Sequence, residues 1–547
     1  MSFRCQELCI SLYNVTNSTN ETPALSESNN LVAECSRFVI INSLYLIICC
    51  IPLKAAKQRL NLYAHYYLLI YTLLPIVIII ACLLFLYKTA VSVFLQIKYG
   101  SQYLGLLNSQ DAVWTTEDLS KSVIDVIVTV KCKRAPDLFI EEFKHRLQTR
   151  WLSDPTEYPK LTSTVENFLG YSFYLKGKFS VNSCVHIEYF AEDIIDVDYI
   201  QTYLTTRSKI GLPKNNKIPW EIFFILTKSG VYYNQLYMVL RLSHIIGDGA
   251  SLINFFVNTI LDQPVTTSLS IQPPLQKSAL NTLTEKIETI IKAPAIQLYQ
   301  NLIKEKDVNI LHREKLSGER LFVGVVEKKA NLINCVKRIK RKIPSTTFME
   351  ILLTAFSASL SNYFKKKGAI IPINISTVIP ISPVGLSNYN MPTLTNQVSV
   401  AILNLPILTK PDSLLVRLNA VKGEVKILKK SLDYQVNSLL LSSVCSIIPS
   451  SLLNHLLNMD TFTMTLSNVP GISKVTILEG NEISDVVFFT PQRGTGGLGF
   501  TILTYDDRFQ LGLSIDKSLI SSRRDCQEIL QNVFENILSL QKEVFRL

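Results

Sequence analysis

The chain has 547 residues, enough for one large domain or two ordinary domains together with a membrane anchor. It is apolar for a soluble protein, with 48% hydrophobic residues and a mean hydropathy of +0.23, and its formal net charge is +11. The sequence contains no arginine-rich arm, no aromatic-basic RNA signature and no zinc-finger spacing. The charge therefore indicates an anionic membrane surface, a phosphate-bearing cosubstrate or ordinary solvated charge rather than nucleic acid. Eleven cysteines without a C-x-x-C pair argue against a zinc site or a disulfide framework in the main body.

Two apolar segments lie near the N-terminus. Residues 65–87 contain no Asp, Glu, Lys or Arg, and as a helix they would rise ~34 Å, more than the ~30 Å hydrocarbon core of a bilayer. This pattern predicts a transmembrane helix. The segment 38–53 is shorter, so it is interpreted as a second span or as a re-entrant or interfacial segment. Together they predict a membrane anchor over residues 38–88.

The sequence leaves the topology of this anchor open. The N-terminal segment 1–37 contains three consecutive glycosylation sequons, at Asn14, Asn17 and Asn20, which favour a lumenal N-terminus. Basic residues between the two apolar segments favour the cytosolic side. Two spans would return the main domain to the lumen, whereas one span would leave it in the cytosol. We expect an integral membrane protein of the endoplasmic reticulum, with the plasma membrane as the alternative.

From about residue 105 the chain alternates strand and helix patterns, which predicts a mixed α/β body. Strands are predicted at 123–131, 237–244 and 321–328, and helices at 138–149, 250–261, 348–365 and 525–547. A stretch rich in Pro, Ser and Thr predicts a loop over 262–274. This loop begins a crossover linker, predicted over 262–320, between an N-terminal lobe at 105–261 and a C-terminal lobe at 321–547. The segment 437–457 is predicted to be a buried core helix, with bilayer contact as the alternative.

One histidine stands out among the six in the chain. His244 ends a predicted strand and begins His-Ile-Ile-Gly-Asp-Gly, in which a tight turn leads into a predicted helix. The turn can place Asp248 beside the backbone that supports the imidazole, while Gly249 permits close packing or positive φ. A neutral imidazole is well suited to removing a proton from an alcohol near neutral pH. The same six residues also fit a polar histidine with no catalytic role.

His244 to Gly249 resembles the H-x-x-x-D-G core of CoA-dependent acyltransferases, which include chloramphenicol acetyltransferase and peptide-synthetase condensation domains. Further motifs resemble the bacterial-type wax ester synthase/diacylglycerol acyltransferase family, and they stand in the correct order across residues 105–540: Ser109–Trp114, Ile218–Glu221, Leu466–Gly471, Gly494–Gly499 and Leu511–Asp516. The most specific of them is Leu466–Gly471, which reads Leu-Ser-Asn-Val-Pro-Gly.

The resemblance implies two chloramphenicol-acetyltransferase-like lobes with a substrate tunnel between them. It implies His244 as the catalytic base, Asp248 and Gly249 as residues that hold the loop, and Ser467 or Asn468 as tunnel or oxyanion groups. The implied cosubstrate is acyl-CoA, with no cofactor and no metal. The implied acceptor is a lipid alcohol, either a long-chain alcohol that gives wax ester or diacylglycerol that gives triacylglycerol.

The chain also departs from the family. Ser243 replaces the first of two adjacent histidines, and Met349–Glu350 replace an Asn-Asp pair. We expect activity to persist because the second histidine is the base in this superfamily. A catalytically inactive membrane lipid-binding or scaffold protein of the same fold is the alternative. A basic run is interpreted as solvated charge or as a contact for CoA or lipid phosphates, and it comprises Lys337, Arg338, Lys340, Arg341 and Lys342.

Overall fold

The structure, a computed structural model, describes residues 59–116, 122–177, 180–190, 195–212, 219–227, 235–262, 304–328, 331–381, 393–457 and 460–546, with single positions between 286 and 300. The three sequons, the apolar segment 38–53, Ile218 and most of the predicted linker lie outside the described residues. The chain divides into two compact units, Met1–Leu73 and Leu74–Leu547. The described part of the first unit is the helical backbone of residues 59–73.

The helices of the described ranges are α1 (Arg59–Tyr99), α2 (Ser109–Val113), α3 (Pro136–Arg150), α4 (Val181–Cys184), α5 (Val197–Arg207), α6 (Gly249–Thr259), α7 (Leu332–Lys342), α8 (Phe348–Lys366), α9 (Leu414–Lys430), α10 (Asp433–Leu439), α11 (Ser450–Leu457) and α12 (Arg523–Arg546). The strands are β1 (Tyr103–Leu106), β2 (Val123–Lys131), β3 (Ser163–Phe168), β4 (Tyr171–Lys176), β5 (Val185–Phe190), β6 (Trp220–Thr227), β7 (Gln235–Ser243), β8 (Arg320–Val326), β9 (Asn374–Ile381), β10 (Ser399–Pro406), β11 (Met464–Ile472), β12 (Thr476–Ile477), β13 (Asn481–Phe489), β14 (Leu498–Tyr505) and β15 (Arg508–Asp516).

The first lobe is built on a six-stranded sheet in the order β12-β13-β2-β7-β6-β5. Neighbouring strands are antiparallel except β5 and β6. Apolar residues of α3 and α6 pack on one face of the sheet, and those of α5 pack on the other. This sheet is buried on both faces, so β2 and β7 are almost continuously apolar. Strands β12 and β13 come from the C-terminal segment, so the sheet crosses the predicted boundary between the lobes.

A buried ion pair fixes the register of the strand that ends beside His244. Arg241 on β7 is fully buried and donates to Asp125 on β2 at 3.1 Å and to Glu221 on β6 at 2.6 Å. Both acceptors lie directly opposite Arg241 in the ladder. A slip by one residue would break both contacts and leave buried charges unpaired, which is strongly unfavourable.

The second lobe is built on another six-stranded sheet, in the order β10-β9-β11-β14-β15-β8, in which β11 runs parallel to both neighbours. Helices α7, α8, α9 and α12 contribute to its apolar core. Helix α8 begins with a capping box, because Thr347 N–H donates to Glu350 at 2.7 Å and Glu350 N–H donates to Thr347 at 3.2 Å. Glu350 therefore stabilises the start of this helix.

A small sheet, β1-β4-β3, packs against the C-terminal part of α1. Helix α1 contains the predicted span 65–87 and continues to Tyr99. Many large apolar side chains between Ile76 and Ile97 are exposed. Among the described residues, the helical stretch Ile78–Gln102 is long and apolar enough to cross a membrane. It is a candidate anchor.

The prediction of one buried helix over residues 437–457 is wrong. Helix α10 ends at Leu439, a π-helical turn follows at Leu440–Val444, and α11 begins only at Ser450. None of the π-turn residues is buried. Pro449 accounts for the C-terminal side of the break, since it disfavours helical backbone at the residue before it, and α11 begins at the residue after it.

Candidate active site

The end of strand β7 places His244 at the junction between the two lobes. The backbone N–H of His244 donates to the carbonyl of Ser122 at 2.8 Å, and that of Ser243 donates to the carbonyl of Pro219 at 2.8 Å. These two bonds continue the ladder past the strand on both sides. The backbone of the histidine is therefore fixed before the chain turns into α6.

The side chain of Asn396 determines which imidazole nitrogen bears the proton. Its amide Nδ2 donates to Asp111 Oδ1 at 2.8 Å and to the His244 carbonyl at 2.8 Å. Both partners can only accept, so the amide has one orientation, and its Oδ1 faces His244 Nδ1 at 3.1 Å. Nδ1 must therefore donate the proton. The other ring nitrogen, Nε2, retains its lone pair and can act as a base.

Asp111 at the centre of this network is completely buried. One carboxylate oxygen accepts from Asn396, and the other forms an ion pair with Lys160 at 2.6 Å and accepts from the Tyr174 hydroxyl at 3.1 Å. Burial raises the pKa of Tyr174 well above its ordinary value, so the phenol remains a donor. Lys160 also donates to the carbonyl of Ile245 at 3.1 Å. The charge of the aspartate is thus compensated, and it holds Asn396 in place.

Trp114 covers the imidazole of His244. The two rings are stacked with their centroids 3.7 Å apart and their planes 16° apart, and the Arg493 guanidinium lies over the indole at 5.4 Å. Burial lowers the pKa of His244 to about 4. The charges of Arg493 and Lys160 act in the same direction, whereas the hydrogen bond to Asn396 opposes it. The imidazole is consequently neutral at physiological pH, as a general base must be.

Asp248 connects the start of α6 to the chain segment that contains Asn396. As the N-cap, it accepts from Ser251 N–H at 2.9 Å, while its second oxygen accepts from Gln397 N–H at 2.8 Å. Its own N–H donates to the carbonyl of Thr395 at 3.1 Å. Both carboxylate oxygens are engaged with backbone amides. The aspartate thus positions the loop, and its contacts give it no acid-base task.

A cavity of about 250 Å³ opens beside these groups. It is lined by His244, Trp114, Asn396 and Arg493, and by Asp248 and Gly249 of the motif. Ser467 and Asn468 of β11 also line it, so the structure brings the predicted tunnel or oxyanion residues to the same space as the histidine. Much of the remaining wall is apolar and includes Val378, Val400, Leu441, Leu457 and Phe462. We call this space the catalytic cavity.

The basic run predicted to contact phosphates lies elsewhere. Its lysines and arginines are exposed on α7, whose opposite face buries residues such as Val336 and Ile339 in the second core. None of them lines the catalytic cavity. An amphipathic surface helix accounts for the run, and its contact with CoA or lipid phosphates stays a prediction. In the described ranges, no cluster of His, Cys, Asp and Glu could hold a metal ion.

Several residues of the site were not assigned a role from the sequence. Asp111 and Trp114 lie within the motif Ser109–Trp114, but their spacing gives no indication of contact with a histidine 130 positions later. Asn396, Lys160 and Arg493 show no local signal, because only the folded chain brings them to His244. An alignment of related sequences would be the signal that could identify them.

Comparisons with known proteins identify one domain of this chain and its fold. Residues 394–540 match the model of the WS/DGAT C-terminal domain. The chain therefore contains a WS/DGAT C-terminal domain over these residues. The family predicted from the motifs is thereby confirmed, and the WS/DGAT domain includes Asn396, Ser467, Asn468 and Arg493. No curated protein sequence matches the chain.

Solved structures show that this chain shares the two-lobed α/β fold of several acyltransferases. The wax ester synthase/diacylglycerol acyltransferase from Marinobacter aquaeolei VT8 is 15% identical, with a TM-score of 0.54 over 80% of this chain and 99% of that chain. The trichothecene 15-O-acetyltransferase from Fusarium sporotrichioides is 12% identical, with a TM-score of 0.54 over 79% and 94%. The first condensation domain of the calcium-dependent antibiotic synthetase is 11% identical, with a TM-score of 0.52 over 80% and 96%.

Proposed function

We propose that this chain is a membrane-bound O-acyltransferase that moves a fatty acyl group from acyl-CoA to a lipid alcohol. The observation that supports it best is the Asn396 amide, whose orientation leaves the lone pair of His244 Nε2 available for proton removal. This base borders a cavity with a largely apolar wall, which suits a lipid substrate. The WS/DGAT domain supports the same reaction class.

In the proposed reaction, His244 Nε2 removes the hydroxyl proton as the alcohol oxygen attacks the thioester carbon. A C–O bond forms and the carbonyl becomes an oxyanion, which Ser467 or Asn468 stabilises by donating a hydrogen bond. When the intermediate collapses, the C–S bond breaks and the imidazolium returns the proton to the CoA thiolate. No acyl-enzyme is formed. Acyl-CoA enters the tunnel from one face and the acceptor enters from the other.

The acceptor is either a long-chain alcohol, giving wax ester, or diacylglycerol, giving triacylglycerol. The name of the similar Marinobacter enzyme includes both activities. Both acceptors reside in a bilayer, and the exposed apolar side chains of α1 support anchoring in a membrane. We propose the endoplasmic reticulum as that membrane.

A catalytically inactive lipid-binding or scaffold protein would need no oriented base. In this chain the buried Asp111 and the amide of Asn396 both orient His244. Burying such polar groups costs free energy, and a protein without catalytic activity would gain nothing from this arrangement. The loss of the first motif histidine does not disturb this arrangement. Ser243 is fully buried, and its hydroxyl has no hydrogen-bond partner among the residues that the structure describes.

The test is the release of free CoA by microsomes that express the full chain, supplied with palmitoyl-CoA and either hexadecanol or diacylglycerol. We expect acceptor-dependent release that falls by about 10²–10⁴-fold in His244→Ala, because general base catalysis contributes a factor of that size. Ser243→Ala is the matched control, because Ser243 is the buried neighbour of His244 and lies outside the hydrogen-bond network. This variant should retain the activity. Release that is absent with both acceptors, or equal in wild type and His244→Ala, would contradict the proposed function.

A further inference from the structure

A strongly basic surface lies on the second lobe, where the end of α7 meets α9. It consists of the basic run of α7 together with four lysines of α9, which are Lys422, Lys426, Lys429 and Lys430. Lys422 connects the two helices, because its ammonium donates to Ser345 Oγ at 2.8 Å and to Thr346 Oγ1 at 3.4 Å, just past the end of α7. Lys422 is partly buried and the other cations are exposed. We call this surface the basic face.

Within the residues that the structure describes, no acidic side chain forms an ion pair with the basic face. Lysines elsewhere in the same lobe are paired. At the end of α8, three consecutive lysines contact Asp412 or Asp525, and these are Lys365, Lys366 and Lys367. Glu424 is the acidic residue of α9, but it lies roughly 160° around the helix from Lys426. The positive charge of the basic face is therefore not neutralised by this part of the chain.

The lysines of α9 are placed where they repel one another. Lys422, Lys426 and Lys430 follow at intervals of four residues, so their side chains are neighbours on one side of the helix. Like charges at this spacing destabilise a helix. Attraction to the helix dipole offsets the repulsion for cations of the last turn, which are Lys429 and Lys430. The stability of α9 thus does not account for the whole row of lysines, whereas an anionic partner does.

The extent of the basic face indicates an array of phosphates rather than a single phosphate group. Between Lys422 and Lys430 alone, α9 rises roughly 12 Å, and no residue of the basic face lines the catalytic cavity. A bilayer presents many headgroups over such a distance, and clusters of about four to eight Lys or Arg on amphipathic helices bind anionic lipid. Ile427 is 62% exposed beside the lysines. It can contact acyl chains just below the headgroups.

We propose that the basic face binds the surface of an anionic bilayer and thereby orients the two lobes on the membrane. This inference deepens the membrane part of the proposed function and does not depend on acyl transfer. It adds a second attachment to the candidate anchor α1, and this one depends on lipid charge. The basic face and residues 74–99 of α1 belong to the same compact unit. Two separate attachments of one unit restrict its rotation about the anchor.

The test uses the full chain with Ile427→Trp, reconstituted in vesicles of phosphatidylcholine with brominated acyl chains. Bromine quenches tryptophan on contact, and the emission of the added tryptophan is the difference from the wild-type chain. We expect strong quenching when about 30 mol% phosphatidylserine is included and weak quenching without it. About 1 M salt should abolish the difference, since it shortens the Debye length from about 8 Å to about 3 Å. The combined changes Lys422→Gln, Lys426→Gln, Lys429→Gln and Lys430→Gln should abolish it as well.

The matched control removes the same charge elsewhere, by combining Lys131→Gln, Lys209→Gln, Lys474→Gln and Lys517→Gln. Each of these lysines forms an ion pair with Glu319 or Glu482, so the charge-dependent quenching should remain. Quenching that does not depend on phosphatidylserine, or an equal loss in the two fourfold variants, would overturn the proposal.

Two further measurements separate this proposal from its neighbours. Isothermal titration with CoA should give the same affinity in both fourfold variants. If the α9 variant binds CoA more weakly and its quenching is unchanged, the basic face holds a soluble phosphate and the proposal is wrong. Flotation with plain phosphatidylcholine vesicles tests the anchor alone. A chain that floats only when phosphatidylserine is present has the basic face without the anchor, which contradicts the proposed integral membrane protein and supports this inference.

Discussion

The protonation of His244 depends on the ring that covers it. Burial lowers the pKa of this imidazole to about 4, and the stacked indole of Trp114 excludes water from one of its faces. In the proposed reaction the unprotonated ring is the base, so activity should fall only as the pH drops through the pKa of His244. Acyl transfer should therefore remain nearly constant from pH 8 down to about pH 5.

Replacing Trp114 should raise the pH below which activity is lost. Trp114→Ala admits water to the imidazole and should raise the pKa of His244 from about 4 towards its ordinary value of about 6.5. The variant should then lose activity at pH 5.5 relative to pH 8, whereas wild type should not. The measurement is kcat/KM against pH, with circular dichroism at each pH to exclude unfolding.

Trp114→Phe keeps an aromatic cover and serves as the control, with an acidic limit close to that of wild type. If Trp114→Ala lowers the rate equally at every pH, the indole only positions substrate, and the explanation of the pKa by burial under this ring is wrong.

The sequence points to His244 as the candidate base, but the residues that orient its side chain cannot be identified from the sequence. His244 and Asp248 lie within six residues in a recognisable pattern, and the structure brings Ser467 and Asn468 to the same cavity. Asn396 lies 152 positions from His244. The contact between Asn396 and His244 forms only when the two lobes pack together, and no local periodicity or motif spacing predicts that packing.

At the scale of elements, the site depends on the junction between α6 and the segment 393–398. Asp248 accepts from the backbone amides of Ser251 and Gln397, one on each side of this junction. Asp248→Ala removes an N-cap and leaves the Gln397 amide without its partner. We expect a loss of about 2–4 kcal/mol in the free energy of unfolding, measured in urea. The activity should fall as well, because Gln397 adjoins Asn396.

Asp248→Asn separates a positioning role from an acid-base role. The amide oxygen still caps α6, but the amide nitrogen faces the Gln397 N–H, so part of the stability is lost. If the aspartate only positions the loop, kcat falls without any change in the pH limits of the profile. If the acidic or the basic decline of kcat with pH disappears in Asp248→Asn, this carboxyl transfers a proton in the reaction.

Most elements follow from local patterns because their buried faces determine the periodicity. Strand β2 has the predicted bounds 123–131, and α8 ends one residue past its prediction. The placement of β12 and β13 in the first sheet was missed, since strand order depends on contacts between distant segments. The break in 437–457 was missed because leucine-rich sequence fits a helix on both sides of Pro449.

At the scale of the whole molecule, a continuous series of contacts links α1 to the wall of the catalytic cavity. Tyr87 on α1 donates to the carbonyl of Leu169 at the tip of the β3–β4 hairpin, at 3.2 Å. The next residue, Gly170, accepts from Ser450 N–H at 2.7 Å at the start of α11. Leu457 at the end of α11 lines the cavity. If α1 lies in a bilayer, this wall is close to the bilayer surface, which shortens the path of a lipid acceptor.

The hairpin tip offers a direct test of that orientation. Leu169 is 56% exposed, and its backbone has a positive φ of 50°. Exposure of a leucine at such a strained position is unfavourable in water and favourable in contact with lipid. In Leu169→Trp, reconstituted as the full chain in vesicles with brominated acyl chains, the added tryptophan emission should be strongly quenched relative to plain vesicles. Ile370→Trp is the control, since Ile370 is 92% exposed on the loop after α8. Equal quenching at the two positions, or none at Leu169→Trp, would mean that the hairpin does not face the bilayer and that the acceptor reaches His244 by another path.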